Sequence, residues 1–363
     1  MINTRTFYYK KHKIRLQNGK SATGQYCDIC KQTYFRPQIP QGFQGSVRVP
    51  QSFRTASMLK TEAVSQYISQ RSIKPFFLDE QSKYRTFGKK YKKAMEQSIW
   101  QEIGQLYQKF QELGISEAVD YEKYYLYSLI THSTAIEGST LTEAEAQMLF
   151  DEGLTAKGKP LVYHLMNEDL KKAYELAKAE ARNKTSVTPA FLRKLNAALM
   201  RTTGSVYNVM GGSFDSSKGE FRLCGVTAGI GGHSYMNYQK VPAKVDRLCA
   251  ILQEKQSTSG TFREQYELSF NAHLNLATIH PWVDGNGRTA RLLMNYIQFC
   301  RNLFPTKIFR EDREEYILSL RRSQEEETNQ PFLDFMASQL KKSLSLEIEK
   351  FNASQKKGFG FLF

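Results

Sequence analysis

The stretch His280-Pro-Trp-Val-Asp-Gly-Asn-Gly-Arg-Thr-Ala-Arg291 sits between two apolar runs and sets the character of the chain. Upstream, Leu274-Asn-Leu-Ala-Thr-Ile279 reads as the end of an apolar helix, and Pro281 forbids its simple continuation. Downstream, Arg288-Thr-Ala-Arg-Leu-Leu-Met-Asn295 reads as the start of the next helix. Gly285 and Gly287 let backbone N–H groups turn inward where that helix presents the positive end of its dipole, a combination that cradles phosphate. Arg288 and Arg291, three apart on one face, can both reach an anion. Asp284 suits a magnesium ion bridging phosphates, and His280 at the mouth can take a proton from an attacking hydroxyl.

Working outward, helical spacing dominates. Apolar residues at three- and four-residue intervals predict helices over Ala56–Gln70, Phe87–Leu113, Val119–Glu137, Leu161–Ala181 and Pro189–Met200 before the loop. They predict others over Ala243–Gln253, Thr261–Ile279, Arg288–Cys300, Arg310–Arg322 and Pro331–Phe351. Thr142 fits an N-cap, and Gly138 a left-handed stop. Between Gly211 and Pro242 the texture turns rich in Gly and β-formers, which predicts one small hairpin. The expected class is mainly α, with residues 1–55 an N-terminal arm, 56–185 a helical region, 186–340 the core and 341–363 a helix end and tail.

Charge is unevenly placed. The net charge of +15 comes almost wholly from residues 1–100, which hold 19 Lys and Arg against 5 Asp and Glu. Such an arm suits an acidic partner or nucleic acid, though no nucleic-acid recognition motif accompanies it. No apolar run is long enough for a membrane span, and the first residues lack the apolar centre of a secretory signal, so a cytoplasmic protein is the expectation. Five cysteines, an odd number, suit free thiols in a reducing compartment. Cys27 and Cys30 form one Cys-x-x-Cys, with His12 upstream, but a structural zinc normally takes four ligands.

The loop resembles the signature of the Fic (Fido) family, His-x-Phe-x-(Asp/Glu)-Gly-Asn-Gly-Arg-x-x-Arg, with Trp282 standing where Phe is usual. The resemblance extends over residues 120–340 and implies a helical bundle that transfers AMP from Mg-ATP to a Tyr, Ser or Thr hydroxyl of a target protein. It implies His280 as general base, Asp284 as the Mg²⁺ ligand, and Asn286 with the N–H groups around Gly285 and Gly287 as holders of phosphate oxygens. Arg288 would meet the β-phosphate region and Arg291 the γ-phosphate. Ile230, Gly231, Gly232 and His233 would form a flap that pairs with the target backbone, and Tyr316 and Gln324 would line the base pocket. Ile317 stands where relatives often carry a second Tyr.

Ser133-Thr-Ala-Ile-Glu137-Gly138 resembles the inhibitory pattern of the same family. Ser133 and Glu137 are four apart and share a helix face. Packed beside the loop, Glu137 would pair with Arg291 and keep it from ATP. Its place ahead of the core implies the class with an N-terminal, intramolecular restraint. Three alternatives stand beside restrained AMP transfer: AMP removal, transfer of another phosphate-linked group, and nucleotide or nucleic-acid binding through the basic arm. A homodimer is compatible with all of them.

Overall fold

The computed structural model describes residues 10–15, 21–27, 32–35, 98–228, 232, 234–256 and 260–356. The chain divides into two compact units, Met1–Asp79 and Glu80–Phe363. In the first, β1 (Lys10–Arg15), β2 (Ser21–Cys27) and β3 (Gln32–Phe35) form an antiparallel sheet in that order. The expected helix over Ala56–Gln70 lies outside the described residues, as do Cys30 and the start of the one expected from Phe87.

The second unit is helical. Helix α1 covers residues 98–112, followed by α2 (Tyr121–Ile136), α3 (Glu143–Glu152), α4 (Leu161–Arg182) and α5 (Pro189–Leu199). After the hairpin come α6 (Val241–Gln256), α7 (Phe262–Ile279), α8 (Asn286–Cys300), α9 (Arg313–Glu325) and α10 (Gln330–Lys356). Residues 186–340 are not set apart within it: α4 packs on α5 and α8, and α10 runs unbroken through residue 340. No helix among the described residues is long and apolar enough to cross a membrane.

Local chemistry sets the ends. Thr142 and Thr261 each close a capping box, with Glu145 and Glu264 returning the bond, and Pro189 follows the cap Thr188. Helix α8 is the axis, packed against α7, α4, α5 and α2 and buried almost all round. Polar residues of its later turns are bonded internally: Asn295 accepts from Tyr174 and donates to Thr306 O, while Gln298 donates to Ser269 and Thr306.

The small sheet lies earlier than expected. Val206–Val209 (β4) pairs with Gly212–Asp215 (β5) around Met210-Gly211, and Gly212 at φ 121° makes the turn possible. The stretch 219–228 forms no strand. It is held instead by a single bridge, Thr227 to Ser234, and by the side chain of Arg222. Ile230, Gly231 and His233 of the expected flap lie outside the described residues, and Gly232 is exposed.

Candidate active site

His280 ends α7 in a left-handed conformation, φ 53° and ψ 60°, as Pro281 requires the helix to stop. Trp282 then turns fully into the core, donating its indole N–H to Gly219 O at 3.0 Å and packing on Phe221. The aromatic anchor expected at this position is therefore in place, with its polar atom satisfied. Gly285 at φ 77° starts α8; a Cβ there would lie 2.8 Å from Leu199 Cδ1, so both backbone and space demand glycine.

Asn286 has a task within the loop. Its side chain accepts from Trp282 N at 3.0 Å and donates to Trp282 O at 2.9 Å, so the amide clamps the loop while the residue borders the cleft. What α8 still offers an anion is its N-terminal dipole and the inward backbone beside Gly287.

The two arginines differ sharply. Arg288 is 2 % exposed, yet its Nε and Nη1 have no partner; only Nη2 reaches out, to Asp284 Oδ2 at 3.4 Å and Met200 Sδ at 3.5 Å. Arg291, one turn on, has a partner at each nitrogen. Its Nε donates to Ser133 Oγ at 2.8 Å, and Nη2 donates to Ser133 O at 2.9 Å and Glu137 Oε1 at 2.6 Å. Its Nη1 faces Tyr316 OH at 3.4 Å. Ser133 and Glu137 come from the last turn and C-cap of α2, which packs on α8.

Glu137 lies over the start of α8: a Cβ on Gly287 would be 2.5 Å from its Oε1 and 3.1 Å from Arg291 Nη1. The carboxylate thus occupies the ground an anion would take at a helix N-terminus. Burial pushes its pKa up, but Arg291, with Arg288 and Arg313 beyond, outweighs that and brings it below the usual 4.5. The cleft left over measures about 190 Å³, short of the roughly 300–1,000 Å³ typical of small-molecule sites.

Parts of this chain are similar to known proteins. Residues 186–298, under a third of the chain, match the Fic/DOC family model. Protein adenylyltransferase Fic of Drosophila grimshawi is 29 % identical over 219 residues, 60 % of this chain and 42 % of that protein. Its counterpart in Drosophila willistoni is 28 % identical over 226 residues, with 60 % and 40 % covered. The chain thus spans about two fifths of the length of these curated relatives. Two solved structures share the fold. A Fic domain containing signaling protein from Bacteroides thetaiotaomicron superposes at TM-score 0.57 with 24 % identity, covering 69 % of this chain and 98 % of that one. Fic-1 from C. elegans (residues 134–508) superposes at 0.61 with 19 % identity, covering 77 % and 80 %.

Within the cleft His280 lines one wall, its ring stacked on Tyr235 at 3.6 Å between centroids and 18° between planes. Burial lowers its pKa to about 4 against a smaller upward pull from a hydrogen bond to the Ala277 backbone, so the imidazole is neutral at pH 7. Asp284 points its carboxylate outward, 61 % exposed, while Oδ1 accepts from Gly285 N. Gln324 lines the cleft and donates to Thr278 Oγ1 at 3.2 Å. Tyr316 lines the cleft as well. It is 2 % exposed, and its hydroxyl lies between Arg291 and His273 Nε2, 2.9 Å from the latter, so it also seats the arginine. Sequence reading did not single out Tyr235, His273 or Arg222; none shares the motif's spacing, and each reaches the site through tertiary packing.

Proposed function

We propose that this chain is a self-restrained protein adenylyltransferase that moves AMP from Mg-ATP to a Tyr, Ser or Thr hydroxyl of a target protein. The observation that carries the reading is the pairing at the start of α8. Arg288 buries two guanidinium nitrogens without partners, while Arg291 one turn away is tied to Ser133 and Glu137. Buried donors left unpaired are costly, so Arg288 suits a phosphate oxygen supplied from outside. Asp284, outward-facing among these anion-binding groups, is the residue that would hold Mg²⁺, which when bound offsets phosphate charge.

In this reading neutral His280 accepts the proton of the target hydroxyl as that oxygen bonds the α-phosphorus. The bond to the pyrophosphate oxygen breaks, and pyrophosphate leaves with the displaced electron pair. The α8 N-terminus and Arg288 face the developing negative charge. Arg291 would meet the γ-phosphate only after Glu137 gives it up.

Incubation of the parent and Glu137→Gly proteins with α-labelled ATP tests this. A charge-assisted contact of about 1.5–3 kcal/mol in competition with ATP implies roughly 10- to 100-fold more protein-bound label in the variant. Label retained equally by both proteins would remove the restraint; no label from either, with a panel of lysate proteins present, would remove the activity.

A further inference from the structure

Arg222 stands outside the motif and away from the cleft, yet it holds the cleft's parts together. It is 1 % exposed, and among the described residues no carboxylate pairs with it. Its guanidinium spends its hydrogen bonds on three backbone carbonyls: Nε on His280 O at 2.8 Å, Nη1 on Cys224 O at 2.7 Å, and Nη2 on Met236 O at 2.7 Å. Its own backbone N–H adds a fourth bond, to Pro281 O at 3.0 Å.

Those partners are unusual in their origin. His280 and Pro281 belong to the loop before α8, whereas Cys224 and Met236 bound the segment that Thr227 and Ser234 bridge. Tyr235, next to Met236, carries the ring stacked on His280 and donates its N–H to Val226 O. His280 holds a left-handed backbone that a residue with a Cβ adopts only when its surroundings fix it. A planar guanidinium sends its N–H groups in fixed, divergent directions, so one side chain locks three strands of backbone at once; an ammonium cannot. A buried cation without a carboxylate is expensive, and placing it here is justified by positional accuracy more than by stability.

We infer that Arg222 is a positioning residue, which sets the distance between the His280 imidazole and the backbone at Cys224 and Met236. The catalytic half of this inference rests on the adenylyltransferase reading; the structural half does not.

The test uses the full chain in the Glu137→Gly background with Arg222→Met and Arg222→Lys. Self-labelling from α-labelled ATP, Mg-ATP affinity by calorimetry and amide hydrogen exchange are measured together. A displacement of about 1 Å at the reacting groups costs on the order of 100-fold, so Arg222→Met should lose that much in the maximal rate while ATP affinity stays within about threefold. Exchange should rise in peptides spanning 223–237 and 277–284 and stay unchanged in α4 and α10. Arg222→Lys should recover part of the rate, since one carbonyl bond can be kept, and it serves alone if the Met variant does not fold. Parent-like rates in either variant would overturn the inference. So would loss of rate together with ATP affinity and a uniform rise in exchange, the pattern of a general fold role. If the Glu137→Gly parent itself transfers no label, the activity reading fails; exchange in the otherwise unaltered chain then decides the positioning claim.

Discussion

Two turns of one helix carry two opposite solutions to the same problem. At the first turn of α8, Arg288 is buried with donors unpaired, beside an outward Asp284. At the second, Arg291 is equally buried but every direction is met by Ser133, Glu137 or Tyr316. A buried guanidinium with two bare nitrogens is costly until something outside the chain completes it; one with four hydrogen bonds is held within the fold. The difference teaches that the cleft is half prepared for a ligand and half filled by the protein's own carboxylate.

The largest expected effect lies between the two turns and the base that faces them. His280→Ala in the Glu137→Gly background should lower AMP transfer by about 10³-fold, within the range for general base catalysis, while ATP affinity changes little. Transfer surviving at a tenth of the parent rate would show that another group takes the proton.

Next come the arginines themselves. Arg291→Met strands Glu137, Ser133 O and Tyr316, and breaking such a pair should cost about 2–4 kcal/mol after allowing for the partly exposed carboxylate. The melting temperature should fall by roughly 5–10 °C. Arg288→Met removes donors that the empty protein leaves unpaired, so melting should shift by no more than about 2 °C. In the Glu137→Gly background it should nonetheless weaken Mg-ATP binding by roughly 10- to 100-fold. Equal melting shifts in the two Met variants would erase the distinction on which the comparison rests.

The same contrast explains what sequence could tell. The loop was legible because its parts are adjacent: Pro281 stops one helix, Gly285 turns the chain, and Arg288 follows on the next helix face. The Ser133 and Glu137 pair was legible because helical spacing puts both on one face, and the structure brings that face to Arg291. Roles that depend on what lies across the packing were not legible. Asn286 is polar and next to the glycines, yet its amide closes on Trp282 four residues back. Tyr316 lines the cleft, but that its hydroxyl also joins His273 from α7 to Arg291 follows only from the packing. Arg222 gave no signal at all, because its partners are carbonyls, which every residue type supplies. The hairpin was displaced for a related reason. Gly-rich texture marks where backbone is free to turn, whereas the strands formed where the β-formers Val206, Tyr207 and Val209 precede the Met210-Gly211 turn.

The acidity of the base gives a smaller effect. With His280 neutral down to about 4 in the ligand-free site, kcat/KM of the Glu137→Gly form should hold nearly level from pH 8 to about 5.5. An acid limb near 6.5 would mean that His280 is solvated once Glu137 has gone.

The smallest effect concerns the restraint, and its sign can be worked out. Glu137 has a folded pKa below its usual 4.5, so its pairing with Arg291 contributes stability that is fully present above 4.5 and lost as pH falls through the lowered value. The difference in melting temperature between the parent and Glu137→Gln should therefore be constant from pH 8 to about 5 and shrink below 4.5. His280 complicates absolute stability over the same range. Its folded pKa of about 4 lies below the usual 6.5, so folding loses stability as pH falls from 6.5, but both proteins carry that term and the difference largely cancels it. Within the neutral range the restraint then behaves as a fixed contact, released by competition for Arg291 and not by protons. A melting difference that halves between pH 8 and pH 6 would place a different titrating group in the contact and make release a matter of acidity.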